Sequence, residues 1–170
     1  MKNITKLFAI ATVVLGFTTT SFAQSSVDAN ATTSATIIAP ISLVKNIDMN
    51  FGNVATSAAA GTVVLGTNNL RTAHDGASLP VTTGIVSAAK FTVTGNVDAT
   101  YSIILPGTIT LSDGTNNMTV GSFTSTPTAT GLLTGGTQEI LVGATLNVGA
   151  LQVAGIYTNA ADLEVTVAYN

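Results

Sequence analysis

Residues 90–120 read KFTVTGNVDATYSIILPGTITLSDGTNNMTV, and their spacing decides the fold. Apolar side chains recur at every second position: Phe91 and Val93; Tyr101, Ile103 and Leu105; Ile109 and Leu111; Met118 and Val120. Successive side chains leave a strand on opposite faces, so this period marks strands with one face on a core. Gly95-Asn96, Pro106-Gly107 and Asp113-Gly114 stand between the runs as turn signals. Asp-Gly accepts the positive φ that tight hairpins require, so Thr108–Ser112 is expected to pair with residues 118–122.

The same pattern continues outward. Val165, Val167 and Tyr169 alternate at the C-terminal end, and Gly135-Gly136 and Thr158-Asn159 add turn signals. After the N-terminal segment, no window of 12 residues joins an apolar i, i+3, i+4, i+7 pattern to helix-forming residues. Thr, Val, Ile, Gly, Ser and Asn dominate, which favours strands and turns. Strands are expected at 31–44, 46–51, 61–66, 80–86, 89–95, 99–105, 108–112, 117–124, 139–148 and 163–169, with loops at 55–61, 67–77 and 124–136. Many short strands with regular turns imply an all-β fold, an antiparallel β-sandwich of immunoglobulin-like or pilin-like type. Phe91, Val93, Tyr101, Ile103, Val165 and Val167 are its expected common core.

At the N-terminus, Lys2 and Lys6 precede an apolar run over residues 7–17, and Ser21-Phe22-Ala23 follows with small residues at both cleavage-site positions. This is the layout of a secretory signal helix cleaved after Ala23. The run falls short of the roughly 20 apolar residues of a membrane span. No Cys follows it, which excludes a lipoprotein anchor. The expected organisation is a signal peptide over 1–23 and one β-sandwich domain over 24–170. The destination is the periplasm, the cell surface or the medium, with no membrane span after cleavage.

Chemistry finds little footing. Of 170 residues only 8% are charged, with 5 Lys+Arg, 8 Asp+Glu, one His and no Cys. A chain without Cys has no disulfide framework, thiol nucleophile or thiolate metal site. A single His excludes a multi-His metal centre, and no cofactor site suggests itself. So few cations speak against nucleic acid as a partner, because phosphates must be neutralised by Lys and Arg. His74-Asp75 is an adjacency in a polar segment, and neighbours along an extended chain point to opposite sides, so this Asp cannot orient this His. Asp113-Gly114-Thr115-Asn116-Asn117 opens like a calcium loop, but Met118 stands at the sixth position and Thr124 at the twelfth, where Gly and Glu are needed. No catalytic, metal or cofactor-binding residue is assigned.

Several stretches together carry a resemblance: ATIIAPISL at 35–43 leading into IDMNFGNV at 47–54, KFTVTG at 90–95 with TYSIILP at 100–106, VGATL at 142–146, GIY at 155–157 and VTVAYN at 165–170. In this order they resemble a family of secreted Gram-negative proteins known as domain of unknown function 4402, over essentially all of the chain after the leader. Gly155-Ile156-Tyr157 and the final alternating strand are also similar to spore-coat-U and chaperone–usher pilin domains. That similarity implies an extracellular β-sandwich used for assembly or adhesion. The chain departs from typical usher pilins in having no Cys pair. Neither resemblance brings a catalytic residue.

Two functional expectations result. The first is a secreted, non-enzymatic structural or adhesive cell-surface protein, in its most specific form a pilus or filament subunit, with copies of itself or other surface proteins as partners. Val27, Ala29, Ala31, Thr33, Ala35, Ile37 and Ala39 occupy every second position and give one small, mostly apolar face. Such a strand suits insertion into a neighbour's groove, and equally the first strand of the chain's own sheet. The second expectation is a secreted ligand- or glycan-binding domain or glycan-active enzyme. Mass spectrometry of exported protein should give a chain starting at Gln24; a chain retaining residues 7–17 would refute the leader.

Overall fold

In this computed structural model residues 26–159 and 163–170 are described. The expected leader and its cleavage site lie outside the described residues, as does Asp162. Two compact units divide the chain, Met1–Thr36 and Ile37–Asn170. In the first, residues 26–36 are exposed and take no regular secondary structure.

The second unit is built of strands: β1 Ser42–Ile47, β2 Ala55–Leu65, β3 Arg71–Ser78, β4 Ala89–Thr94, β5 Thr100–Ile104, β6 Thr108–Ser112, β7 Asn117–Thr126, β8 Thr130–Leu132, β9 Thr137–Val148 and β10 Thr166–Tyr169. A 3₁₀ turn, Thr134–Gly136, leads into β9. All pairings are antiparallel. The larger sheet runs β1-β4-β9-β2-β3, with β7 on β9 and β6 on β7; the smaller runs β10-β5-β8. The all-β, antiparallel, sandwich-like architecture expected from the period-two spacing is the fold.

Residues 90–120 behave as their spacing dictates. Ile109 lies opposite Val120 and Leu111 opposite Met118 across the β6–β7 hairpin. Its turn is Asp113–Asn116, with Gly114 at φ +98°, a value that favours glycine. Tyr101 lies opposite Tyr169 and Ile103 opposite Val167. Phe91, Val93, Tyr101, Ile103 and Val165 are buried in one cluster with Ile140 and Val142, and Val167 packs against it half-buried. This core draws on both sheets. The buried Tyr101 places its hydroxyl 2.7 Å from Gln138 Oε1, to which it donates.

A second core contains Val63 and Leu65 of β2, Ala77 of β3, Ile109 of β6, Val120 of β7, and Ala144, Leu146 and Val148 of β9, with Phe51. No strand of the smaller sheet contributes to it. The larger sheet thus has a facing sheet over one half and only loops over the other.

Six sequence expectations need correction. The loop expected over 55–61 is the first part of β2, whose ladder to β3 starts at Ala55 opposite Ser78. The strand expected over 46–51 ends with β1 at Ile47, and beyond it only Asn50 makes an isolated bridge. The strand expected over 31–44 begins only at Ser42, after Pro40, which has no N–H to give to a ladder. The strand expected over 80–86 is absent: Pro80 lacks a donor, Gly84 sits at φ +66°, and only Ser87 makes an isolated bridge, to Asn50. The loop expected over 67–77 is largely β3. Its sequence RTAHDGAS lacks apolar alternation because it is an edge strand, paired to β2 alone and mostly exposed. The loop expected over 124–136 holds the end of β7, β8 and the 3₁₀ turn.

Ile103 is 8% exposed. Its truncation, Ile103→Ala, should destabilise the fold by about 2–5 kcal/mol in chemical denaturation. A change under about 0.5 kcal/mol would place its side chain in solvent.

Candidate functional site

The seven residues of the candidate donor face are all described. Val27, Ala29, Ala31, Thr33, Ala35, Ile37 and Ala39 lie in a stretch without strand pairing, and each is exposed. Val27 is 89% and Ile37 97% exposed. Ala39 has one anchor: its carbonyl accepts a hydrogen bond from the Tyr169 hydroxyl at 2.8 Å, and that oxygen accepts one from the Asn96 N–H at 2.7 Å. These seven residues form no site by themselves.

A cavity of about 960 Å³ lies over the loop-covered half of the larger sheet. Its floor is made by Ile109 and Leu111 of β6, Met118 and Val120 of β7, and Leu146 and Val148 of β9. The period-two alternation of the β6–β7 hairpin puts these side chains on one face, which is why the floor is apolar. Residues 47–56 form one wall and residues 152–159 another.

Hydrogen bonds hold both walls. Arg71, in β3, donates through Nη1 to the carbonyl of Phe51 and, at 2.9 Å, to that of Asn53. Between them Gly52 takes φ +66°, and a Cβ there would lie 2.3 Å from the Thr83 carbonyl oxygen, so only glycine fits. Asn50 and Ser87 exchange backbone hydrogen bonds of 2.8 and 3.0 Å. On the other wall, the Tyr157 hydroxyl donates to the Val153 carbonyl at 2.7 Å and accepts from Gln152 Nε2 at 2.9 Å. Ser112 and Thr158 exchange backbone hydrogen bonds, both 3.0 Å, which tie this wall to the edge of β6.

The rim is greasy. Ile85 is 75% and Ile156 84% exposed, and Ile47 and Val153 are exposed beside them. Lys45 and Asp48 at the mouth pair at 2.5 Å, so the rim presents no net charge. Asp48 is the one carboxylate among the described lining residues. Elsewhere Lys90 pairs with Glu139 at 2.5 Å. With Arg71 clamping carbonyls, the three cations among the described residues are all engaged. His74 and Asp75 lie exposed in β3, opposite Thr62 and Gly61 of β2. Among the described residues no group of three or more His, Cys, Asp or Glu could hold a metal, and no helix is long and apolar enough to cross a membrane.

The residues at 47–54 that carry part of the family resemblance line this cavity, as do Leu146 and residues 155–157. Sequence reading missed the cavity because its walls are irregular segments without periodicity. The one usable signal was Arg71, a cation in a chain nearly without them.

Asp113 closes the hairpin that forms part of the floor. Its carboxylate accepts from Asn116 Nδ2 at 3.0 Å, from the Asn116 N–H at 2.6 Å and from the Thr115 N–H at 2.8 Å. The Asn116 side chain and then these backbone donors favour the charged form and lower its pKa to about 2, from 3.8. A depressed carboxylate supports the turn fully above the unfolded value and loses that support as pH falls through the folded one. The Thr115 and Asn116 amide NMR signals should therefore shift with a midpoint near 2; a midpoint near 3.8 would show that these bonds do not persist.

Comparison with known proteins gives one match. Residues 41–169 match the family model described as a domain of unknown function (DUF4402). No curated protein and no solved structure matches the chain. The match begins just before β1, runs to the last residue of β10, and takes in both cores and the cavity over β6 and β7. A two-sheet unit spanned from its first strand to its last by one model places the chain in that family: it belongs to the DUF4402 domain family.

Proposed function

We propose that the chain is a secreted, non-enzymatic structural or adhesive protein of the cell surface that assembles with copies of itself, as a filament subunit does. The observation that carries this reading is the segment at 27–39. It alternates in pattern, is exposed along its length and has no strand partner. Strand addition to a neighbour would give such a segment both a backbone ladder and cover for its apolar face. Exposed backbone and aliphatic side chains make the unpartnered state prone to association. The low charge and the abundance of Thr, Ala and Gly fit an extracellular building block.

The cavity favours a second reading, a secreted ligand- or glycan-binding domain. Its 960 Å³ is within the usual span of small-molecule sites, roughly 300–1,000 Å³, and Phe51, Phe91 and Tyr157 contribute to its lining.

Size-exclusion chromatography and negative-stain microscopy separate the two. The unaltered chain should form oligomers or fibres. The double variant Ala31→Asp/Ala35→Asp, which charges the apolar face, should be at least tenfold poorer in assembly. Thr32→Asp/Ser34→Asp, on the opposite face, should assemble as the parent does. A parent chain that stays monomeric at high concentration would refute assembly and leave the ligand-binding reading.

A further inference from the structure

Resting on that assembly reading, we infer that the cavity walled by residues 47–56 and 152–159 is the seat for residues 27–39 of a second copy of this chain. The smaller sheet covers one core, whereas the other is covered by loops alone and opens to solvent through the cavity. The unpaired segment and the incomplete half-sandwich are both exposed apolar surfaces, and they match in three ways.

The first match is chemical. The rim carries four exposed aliphatic side chains, Ile47, Ile85, Val153 and Ile156. The segment carries Val27 and Ile37 at its two ends, 89% and 97% exposed. Four alanines lie between or beside them, at 29, 31, 35 and 39. Small side chains let an extended backbone approach the floor closely, while the larger ones at either end reach the rim.

The second match is electrostatic. The cavity mouth is neutral because Lys45 and Asp48 pair with each other. The segment has a single charge, Asp28. Asp28 falls on the alternate face with Asn30, Thr32, Ser34 and Thr36, and with Ile38 at its C-terminal end; this mostly polar face points to water when the odd-numbered face is docked. A charged ligand would find no unpaired counter-ion among the described lining residues, and an uncharged strand needs none.

The third match is in period. A floor set by cross-strand pairs, Ile109 with Val120 and Leu111 with Met118, repeats every second residue along each strand, as the segment does. A slip of one residue would turn Asp28 and its polar neighbours onto apolar side chains, so the register of docking is defined.

Cross-linking tests the seat directly, because the chain has no Cys of its own. Chains carrying Ala35→Cys are mixed with chains carrying Met118→Cys, in the cavity floor, or Thr72→Cys, on the exposed edge strand β3. Disulfide dimers are expected with Met118→Cys and not with Thr72→Cys. As a second measure that spares the interior, the exposed rim residues are charged in Ile85→Asp and Ile156→Asp, with exposed Val97→Asp, away from the cavity, as control. Both rim variants should raise the concentration needed for assembly at least tenfold, and Val97→Asp should not. If Ala31→Asp/Ala35→Asp blocks assembly while the rim variants assemble normally and no Met118→Cys dimer forms, the segment docks elsewhere: the seat is refuted and the assembly reading stands. If the parent chain never assembles, both fall.

Discussion

One strand organises the molecule. β9 spans Thr137–Val148, and its backbone serves three neighbours: β4 along 137–142, β2 along 144–148 and β7 along 141–147. Its even-numbered side chains point to one face, yet they fill two cores. Ile140 and Val142 belong to the first, and Ala144, Leu146 and Val148 to the second. The ladder thus fixes β4 and β2 end to end beside the same strand, and both cores must lie on the same side of the sheet.

The consequence is an uneven sandwich. Over the first half, β10, β5 and β8 supply a second layer, and aromatic residues from both sheets meet there. Over the second half, the apolar face is bounded by residues 48–54 and 152–159, which have no strand partner beyond isolated bridges. Arg71 holds one of these segments by two carbonyls, and the pairing of Ser112 with Thr158 holds the other. A sheet face closed by tethered loops retains open volume, since loops pack less regularly than strands. That volume is the feature on which the ligand-binding reading and the inferred seat depend.

The chemistry of the surface fits the same picture. Two of the three described cations in this family member are neutralised by acids, and the third is used as a structural clamp. The assembly we propose therefore rests on shape, apolar contact and backbone hydrogen bonding more than on charge. These are the means by which extended segments add to β-sheets.

How much could be read before the structure depended on whether a segment has a period. The runs at 91–93, 101–105, 109–111, 118–120 and 165–169 have one apolar side each, and burial of that side leaves a single register. Hence the strands, the Asp113-Gly114 hairpin and the core around Tyr101 and Ile103 follow from the sequence alone. β3 was illegible because an edge strand is held by backbone bonds to one neighbour, and RTAHDGAS needs no apolar pattern for that. Residues 80–86 misled for the opposite reason: they alternate, but Pro80 and Gly84 deny the backbone a ladder. The cavity belongs wholly to the tertiary structure. Its floor side chains are legible as a strand face, but only the placement of β4 and β2 along β9 determines which half of that face a second sheet covers and which half is left to loops.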